Sequence, residues 1–504
     1  MSSDNSQPNV VWIMADDLGW GDLGCYGQQI TKTPRLDRMA KEGTRFTDCY
    51  AGAHMCAPSR ATFHTGKHEG HSSVREIWFR TDGFNNRAHL HPHERTVAQA
   101  LRDAGYATGL FGKRHAIDVG MSGHFGFDAF YHADAGHPVL GAHYPLEIET
   151  ESGSIEIPVN ADIGNSLSKA RNSVDREVVF DYIDQYRDWE KGTYMDDICT
   201  DAACNFIREK KEKPFFLYLS FHAPHTLYVS PDIGDYMHKD WDPLSKGYVP
   251  MIERLDMHVG QVLDTLGAAG LDDNTIVFFT SDNGGVCRDG RDGDEREGWV
   301  GFRERMQVNR DLRKGKHYHF EGGIRVPMIV RWPGRVPAGR VSDLPWFFAD
   351  AFPTIAEIAH ASDGVPDDVD GFSVLPTLLG GAQQELEDRP MYWEAHKFFG
   401  FYQVVRKADW KLIRWTKQGP RQHPLGDTDP ILPDDRYPLL ELYNLKDDHR
   451  EEHNLVDRES ARMDELLALL NSADAHLEDP EWPLLEEEKK VLADTGWGTE
   501  GKLE

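Results

Sequence analysis

Five short, continuous apolar runs, which recur along the chain, constrain the fold more than any other feature. They are NVVWIMA (Asn9–Ala15), ATGLFG (Ala107–Gly112), PFFLYLSF (Pro214–Phe221), TIVFFTS (Thr275–Ser281) and VPMIVRW (Val326–Trp332). Runs of this kind suit strands that are buried on both faces, as in a parallel sheet. Helical patterns lie between them at Thr96–Tyr106 and Pro250–Gly270. The alternation of strands and helices predicts a doubly wound α/β domain.

The pattern changes after about Gly371. The segments PMYWEAH, GFYQVVRKADWKLIRW and LELYNLKDD read as short strands joined by turns, and Ser460–Leu470 reads as a helix. We therefore predict an α/β domain over residues 1–375 and a smaller subdomain over residues 376–504, with an antiparallel sheet and a helix. A chain of 504 residues is long enough to bury a core in both parts.

Composition excludes some classes of protein. The formal net charge of −29 argues against a nucleic-acid partner, and it requires a local cationic pocket for any anionic substrate. No apolar run is long enough to span a membrane. The polar start MSSDNSQPNV has no features of a signal peptide. We expect a cytoplasmic protein, or a periplasmic or secreted one if a leader was removed, and the sequence does not indicate its oligomeric state.

Charged or ligand-binding polar residues directly follow four of the predicted strands. They are Asp16 and Asp17; Lys113, Arg114 and His115; His222 and His225; and Asp282 and Asn283. Ligands of open α/β sheets bind at the carboxyl ends of the strands. A single aspartate at such a place is usually a helix cap or a turn residue. Four groups that converge on one edge predict a functional site.

The oxygen donors in this set indicate a metal ion. Asp16, Asp17, Asp282 and Asn283 supply three carboxylates and an amide carbonyl, which suit calcium or magnesium. The histidine and cysteine ligands that are typical of zinc are absent from these four positions.

The cationic side chains indicate the ligand. Arg60, Lys113 and Lys316 are candidates to surround a tetrahedral oxyanion, with Lys314 as a rival for Lys316. His115 and His222 are candidates for acid and base near neutral pH.

Cys56 begins the stretch CAPSRATFHTG, which is compatible with a helix. The cysteine would lie at the helix N-terminus, where backbone N–H groups favour an anion. It could serve as a reactive thiol. The chain has six cysteines without a C-x-x-C pair, and we interpret most of them as small buried hydrophobic residues.

The stretch Cys56–Arg60, continuing to Thr65 and Gly66, resembles the signature of the type I sulfatases. Other blocks resemble that family in its order, namely DDLGWGD, GYATGLFGKRH, FHAPH, TIVFFTSDNGG, FEGGIRVPMIVRWPG, ADWKLIRW and ELYNLKDD. The likeness covers nearly the whole chain, and it is greatest to bacterial arylsulfatase A-like enzymes. It implies an alkaline-phosphatase-like fold, whose mixed, mostly parallel sheet is sandwiched by helices.

The resemblance implies a sulfatase that hydrolyses sulfate esters to an alcohol and inorganic sulfate. Cys56 would be converted to Cα-formylglycine by a maturation enzyme, and the hydrated aldehyde would attack sulfur. Calcium would be bound by Asp16, Asp17, Asp282 and Asn283 and would polarise a sulfate oxygen.

The resemblance also assigns roles to the remaining residues. Arg60 would hold the hydrated aldehyde, and Lys113 would bind sulfate oxygens. His222, with Lys316, would stabilise or protonate the leaving oxygen, and His115 would accept a proton from the second hydroxyl. His225 and Arg114 are assigned to substrate binding.

The sequence departs from the family pattern at three places. Arg114 stands where many relatives have tryptophan. LRKGK replaces a more usual Gly-Gly-Lys, and of its two lysines we choose Lys316 over Lys314. The charged segment 286–311 reads either as a loop that shapes specificity or as a solvated surface excursion.

Two other functions are compatible with parts of the pattern. One is a formylglycine-dependent phosphonate monoester hydrolase. The other is a protein that binds sulfated glycans and never modifies Cys56. Aryl sulfates and sulfated sugars are equally plausible substrates, and the acidic chain favours small or terminal targets over long polyanions.

Overall fold

The computed structural model describes most of the two predicted parts. It describes residues 7–75, 78–81, 84–87, 89–117, 125–131, 146–150, 153–157, 194–226, 228, 230–286, 302, 305–395, 401–416 and 439–474. Within these ranges, no helix combines the length and the apolar character that crossing a bilayer requires.

Seventeen strands and ten α-helices are assigned in these ranges. The strands are β1 (Asn9–Ala15), β2 (Thr44–Tyr50), β3 (Trp78–Thr81), β4 (Phe84–Arg87), β5 (Ala107–Gly112), β6 (Ala129–Tyr131), β7 (Leu146–Thr150), β8 (Gly153–Ile157), β9 (Phe215–Ser220), β10 (Thr275–Ser281), β11 (Arg325–Arg331), β12 (Arg340–Ser342), β13 (Trp346–Phe347), β14 (Pro390–Ala395), β15 (Phe401–Lys407), β16 (Trp410–Thr416) and β17 (Leu440–Asn444). The helices are α1 (Pro34–Glu42), α2 (Cys56–Thr65), α3 (Val97–Asp103), α4 (Met195–Lys210), α5 (Pro243–Ala268), α6 (Glu321–Ile324), α7 (Ala351–Ile358), α8 (Leu375–Leu378), α9 (Gln384–Glu387) and α10 (Ser460–Asp474).

The central sheet has the order β12-β2-β11-β10-β1-β9-β5-β6, and β13 also pairs with β2. The five strands from β10 to β6 are mutually parallel. Only β11, among the described strands of this sheet, runs antiparallel to both of its neighbours. The mixed, mostly parallel sheet that the sequence predicted is therefore confirmed. Two further pairs, β3–β4 and β7–β8, form separate hairpins.

Strand β1 shows why the apolar runs are continuous. Val10, Trp12 and Met14 belong to the hydrophobic core on one face of the sheet, together with residues of α2, α3 and α7. Val11 and Ile13 belong to the core on the other face, with residues of α1, α4 and α5. Because successive side chains of a strand alternate between faces, a strand that is covered on both sides needs apolar residues throughout.

The small subdomain is a four-stranded antiparallel sheet with the order β14-β15-β16-β17. One face packs Trp393 and Tyr402 against Tyr50 and Phe347 of the larger part. The opposite face is covered by α10, which contributes Leu466 and Leu470. The predicted boundary at residue 375 falls at the start of α8, between the two sheets along the chain. The exact division into domains stays a prediction.

Helix α5 begins earlier than the predicted start at Pro250. Its N-cap is Asp242, whose carboxylate accepts a hydrogen bond of 2.8 Å from the backbone N–H of Ser245. Pro243 occupies the first helical position, where the missing N–H costs nothing. Pro250 lies inside the helix. The Asp-Pro pair at 242–243 therefore marks the start of the helix, and the predicted start at Pro250 was too late.

Candidate active site

The strand ends that carry the predicted polar residues lie at one level of the central sheet. In the strand pairing, Ala15 of β1 is opposite Ser281 of β10, and Met14 of β1 is opposite Ser220 of β9. Gly112 of β5 is also opposite Ser220. Because these four strands are adjacent and parallel, the residues that follow them emerge together at one edge.

Cys56 is the first residue of α2, a ten-residue helix whose side chains are all buried. Its thiol lies 3.4 Å from Asp16 Oδ1 and 3.9 Å from Asp17 Oδ1. On another side, Lys316 Nζ lies 3.4 Å from Sγ. Burial raises the pKa of the Cys56 thiol well above its usual value, and the carboxylate of Asp16 raises it further. The unmodified side chain is therefore a neutral thiol at physiological pH, and a thiol is a poor nucleophile.

The four predicted oxygen-donor residues are all buried and form one cluster. Asn283 Nδ2 donates to Asp17 Oδ1 at 2.8 Å, and the backbone N–H of Asp17 donates to Asp282 Oδ1 at 3.1 Å. Asp17 has a φ of 64°, a backbone conformation that non-glycine residues seldom adopt. Burial raises the pKa of Asp282, and the nearby Asp16 carboxylate adds to this rise. Repulsion between neighbouring carboxylates is therefore built into the cluster.

The cluster has the features that a hard cation would complement. Asn283 Oδ1 is buried, and no hydrogen-bond partner reaches it among the described residues. A buried oxygen without a partner is costly unless an ion or a water satisfies it. Together with the crowded carboxylates, it fits an oxygen-ligated divalent ion. The structure also brings the Cys56 thiol and the His225 ring within 4.8 Å of carboxylate oxygens of Asp16 and Asp17.

Two buried lysines neutralise this acidic cluster. Lys113 Nζ contacts Asp16 Oδ2, and Lys316 Nζ donates to Asp17 Oδ2 at 2.8 Å. Burial lowers the pKa of Lys316, but Asp17, Cys56 and Asp16 together outweigh burial and raise the pKa well above its usual value. The rival, Lys314, places its Nζ over the Tyr318 ring, 4.8 Å from the centroid. Lys316 is therefore the lysine that reaches Cys56.

Gly112 allows Lys113 to enter the site. It has a φ of 109°, and a Cβ atom there would lie 1.9 Å from the carbonyl oxygen of Ser220. The same close approach lets the backbone N–H of Lys113 donate to Ser220 O at 2.7 Å. Only glycine fits this position.

Arg60 lies one turn after Cys56 and is fully buried. Its Nε and Nη2 atoms both donate to Asp282 Oδ2, at 2.9 Å and 2.7 Å. Its Nη1 atom donates to the Tyr218 hydroxyl at 3.0 Å and contacts Ser220 Oγ. These contacts place the guanidinium beneath the cluster, where it orients Asp282. The predicted role of holding the hydrated aldehyde stays a prediction.

His222 is fully buried and is oriented by Asp196. Its Nδ1 atom lies 3.0 Å from Asp196 Oδ1, which also accepts the backbone N–H of His222 at 2.9 Å. The second oxygen of Asp196 accepts the backbone N–H of Ala223 at 2.9 Å. We assign the Nδ1 proton to the bond with Asp196. Nε2 is buried, and no described residue hydrogen-bonds to it, so it is available to a substrate.

The remaining predicted residues lie at the same edge. His225 Nε2 is 3.6 Å from Asp17 Oδ2, and its Nδ1 lies 2.6 Å from the carbonyl oxygen of Thr226. Arg114 is buried and His115 is partly buried, and both directly follow Lys113. His115 has a φ of 27°, so its backbone is in an unusual conformation. The roles of these three residues stay predictions.

Much of the predicted specificity loop, residues 287–301 and 303–304, lies outside the described residues. Its described end is packed against the site. Val308 and Asn309 are buried, and Val308 O accepts the backbone N–H of Gly21 at 2.8 Å. Asn309 Oδ1 accepts the backbone N–H of Gly285 at 3.0 Å. This end of the loop is therefore part of the structure that supports the site.

Sequence reasoning missed three residues that organise the site, namely Asp196, Tyr218 and Ser220. Asp196 is the second residue of α4, far along the chain from His222, and no local pattern links the two. Tyr218 and Ser220 were read as part of an apolar strand. Their hydroxyl groups could have indicated a role in the site, because a hydroxyl inside a strand that is buried on both faces needs a hydrogen-bond partner.

The mostly parallel sheet, and the buried cysteine that lies among carboxylates and cationic side chains at its edge, are the features of one class of hydrolase. A family model described as "Sulfatase" matches residues 8–361, and one described as "N-sulphoglucosamine sulphohydrolase, C-terminal" matches residues 314–429. The chain belongs to the sulfatase family, so it is a sulfuric ester hydrolase.

Known proteins are similar over most of the chain. Steryl-sulfatase of Rattus norvegicus is 32% identical over 75% of this chain and 71% of its own length. N-acetylgalactosamine-6-sulfatase of Canis lupus familiaris is 31% identical over 77% of this chain and 68% of its own length. The crystal structure of Ps i-CgsB in complex with k-i-k-neocarrahexaose aligns with a TM-score of 0.70 and 25% identity over 98% of each chain.

Proposed function

We propose that this sulfatase hydrolyses its ester with a formylglycine made from Cys56 and with calcium held by Asp16, Asp17, Asp282 and Asn283. The observation that carries the proposal is the position of Cys56. Its Sγ atom lies at the start of a buried helix, 3.4 Å from both Asp16 Oδ1 and Lys316 Nζ. When formed, the hydrated aldehyde supplies an oxygen nucleophile and the calcium ion offsets charge on the sulfate group.

The balance of charge in the site supports a bound divalent cation. The carboxylates of Asp16, Asp17 and Asp282 carry three negative charges. They contact the three cationic groups of Lys113, Lys316 and Arg60. These six groups by themselves therefore carry no surplus positive charge to attract an anion into a chain of net charge −29. A divalent cation would bring the charge of these groups and the ion to about +2, which suits a sulfate monoester.

The side chains around Cys56 have separate roles in the proposed reaction. Lys113 and Lys316 place ammonium groups beside the nucleophile, where they can bind sulfate oxygens and stabilise the charge that develops. His222 offers Nε2 to the leaving oxygen, and Asp196 fixes the orientation of its ring. Arg60 holds Asp282, and His115 accepts a proton in the step that regenerates the aldehyde.

The relatives favour a sulfated saccharide as the natural substrate. One matched relative is named for N-acetylgalactosamine 6-sulfate, and one matched structure holds a neocarrahexaose. Another matched relative is a steryl-sulfatase, so aryl and steryl sulfates belong in the same assay panel. The acidic chain favours short or terminal sulfated sugars. Faster turnover of an intact polyanionic polymer than of its short fragments would contradict this preference.

Mass spectrometry of one tryptic peptide tests the modification directly. Cleavage after Arg45 and Arg60 releases Phe46–Arg60, which contains both Cys56 and Cys49. We expect one alkylated thiol and one hydrazine-reactive aldehyde, so Cys49 serves as an internal control. Two thiols after co-expression with a formylglycine-generating enzyme, with no turnover of any sulfate ester, would refute the proposal.

Activity assays test the chemistry. We expect hydrolysis of an aryl sulfate by the matured enzyme and its loss in Cys56→Ala. A higher kcat/KM for an aryl phosphonate than for the aryl sulfate would favour the phosphonate hydrolase function instead. Because Cys56 must be converted before it can act, the maturation enzyme is an expected partner. The cytoplasmic, periplasmic or secreted location of the protein stays a prediction.

A further inference from the structure

The segment that carries Lys316 is a loop fixed at both ends. We call residues Arg313–Gly322 the Lys316 segment. Its base is closed by a hydrogen bond of 2.9 Å from the backbone N–H of Gly322 to Arg313 O. Its tip is tied to the core, because Lys316 N donates to Gly285 O and His317 N donates to His54 O, each at 3.1 Å.

This segment has a backbone that needs outside support. Lys314 and His317, which flank the tip, have φ values of 60° and 81°. Non-glycine residues seldom adopt this region, and they remain there only where surrounding contacts hold them. The position of Lys316 Nζ therefore depends on whatever holds the base of the segment.

The small C-terminal sheet holds one side of that base. Arg313 Nη1 donates to Glu441 Oε2 at 2.8 Å and to the Tyr443 hydroxyl at 2.9 Å, both on β17. The guanidinium also lies over the Phe320 ring, 3.7 Å from its centroid. These contacts join the first residue of the segment to the sheet.

The other side of the base enters a buried ionic network. The backbone N–H of Glu321 donates to Glu451 Oε2 at 2.7 Å. Lys411 Nζ, on β16, lies 2.9 Å from Glu321 Oε1 and 2.9 Å from Glu451 Oε1. Burial works to raise the pKa of Glu321, but Lys411, Arg325, Arg406 and the Tyr50 hydroxyl together outweigh it and lower the pKa to about 2. Glu321 is therefore anionic and firmly paired with the C-terminal sheet.

We propose that Lys411, Glu441 and Glu451 are positioning residues, which set the place of the Lys316 ammonium against Cys56 and Asp17. The inference rests on the proposed function of Lys316 at the reacting group. It assigns to the small subdomain a part in catalysis, although none of these three residues touches Cys56. The network acts through the backbone of the Lys316 segment, and a displacement of about 1 Å at a reacting centre is enough to slow chemistry.

The test uses Glu441→Gln and Glu451→Gln, each alone and combined with Lys316→Ala, in the matured full-length enzyme. Lys411→Met is avoided because it would remove the cation that lies between two buried carboxylates, Glu321 and Glu451. Glu465→Gln is the control, since it removes an ion pair of 2.6 Å with Lys407 on the far face of the same sheet. Each variant is assayed well below its own melting temperature, on a phenyl sulfate and on a nitrophenyl sulfate.

We expect each network variant to lower kcat on the phenyl sulfate by about tenfold, with a smaller loss on the nitrophenyl sulfate and little change in KM. In the Lys316→Ala background the same substitutions should cause almost no further loss, because they act through Lys316. Glu465→Gln should match the wild type.

Three results would overturn the inference. The first is unchanged kcat in both network variants, and the second is an equal loss with and without Lys316. The third is wild-type kcat in Lys316→Ala, which would refute the role of Lys316 and the inference together. None of these results would touch the assignment of Cys56, which the peptide mass decides by itself.

Discussion

Arg60 donates two hydrogen bonds to a single carboxylate oxygen of Asp282, from Nε at 2.9 Å and from Nη2 at 2.7 Å, and both side chains are fully buried. The pair joins the helix that begins at Cys56 to the end of β10. It thereby links Cys56, from which we propose the nucleophile is made, and Asp282, a proposed metal ligand.

Arg60→Ala should lower the free energy of unfolding by about 3–5 kcal/mol, because it leaves a buried carboxylate unpaired. Arg60→Lys should lower it less, since a lysine keeps the charge and loses the paired geometry. Denaturation followed by circular dichroism measures both. Arg38→Ala is the control, because Arg38 pairs with Glu42 on an exposed helix face and should change stability little. An unfolding free energy for Arg60→Ala equal to that of the control would contradict the prediction.

Calcium should raise the melting temperature of protein that has first been stripped with a chelator. At a calcium concentration of 100 times Kd, the expected stabilisation is about 2.7 kcal/mol. Asn283→Ala removes an oxygen that is buried and unpaired within the described residues, and it should reduce the calcium-dependent shift strongly. Asn274→Ala is the control, because Asn274 binds the carbonyl of Gln7 at another place in the fold. A larger shift with zinc than with calcium would show that the metal is assigned wrongly.

Asp196→Asn should reduce kcat by about 10²-fold or more, and the loss should be greatest for sulfates with poor leaving groups. Asp196 Oδ1 lies 3.0 Å from His222 Nδ1 and orients the ring, and the substitution weakens this contact. Steady-state kinetics on aryl sulfates of graded leaving-group acidity provides the measurement. The neighbouring Asp197→Asn, which breaks a pair with Arg254, is the control for general damage to α4. If both variants lose activity equally and without leaving-group dependence, Asp196 has only a structural role.

Asp22 should make stability depend on pH in an unusual direction. Burial raises the pKa of Asp22 to about 8, although hydrogen bonds from the Tyr248 hydroxyl and the Gly19 N–H oppose the rise. Between about pH 4 and pH 8 the folded state therefore keeps a proton that the unfolded chain has lost. Stability should fall as the pH rises through this window.

Asp22→Asn tests this dependence, because an amide of the same shape does not titrate. We expect the difference in melting temperature between pH 5.5 and pH 8 to be smaller in the variant than in the wild type. All other titrating groups are shared by the two proteins, so the comparison isolates Asp22. Parallel pH profiles would show that Asp22 is ionised in the folded state.

Local sequence was sufficient for the strands of the central sheet. The predicted bounds of β1 and β10, Asn9–Ala15 and Thr275–Ser281, coincide with the structure. These strands could be predicted from the sequence because burial on both faces favours a continuous run of apolar residues. Helix α5 was harder, since the predicted helical pattern left out its first turns, from Pro243 to Val249. A proline occurs both at its first position and in its interior, so proline alone does not mark the start.

The sequence by itself determined which residues gather at the edge of the sheet. Polar residues directly after buried strands must emerge at that edge, because parallel neighbouring strands end together. Tertiary structure alone decided which acid orients His222, and it places Lys316, the lysine chosen from the sequence, beside Cys56. Lys316 and Asp196 come from a loop and a helix that are distant in the chain, and their positions follow from contacts with other elements. Chain-distant contacts of this kind leave no periodic trace in the sequence, so their geometry appears only once the fold has formed.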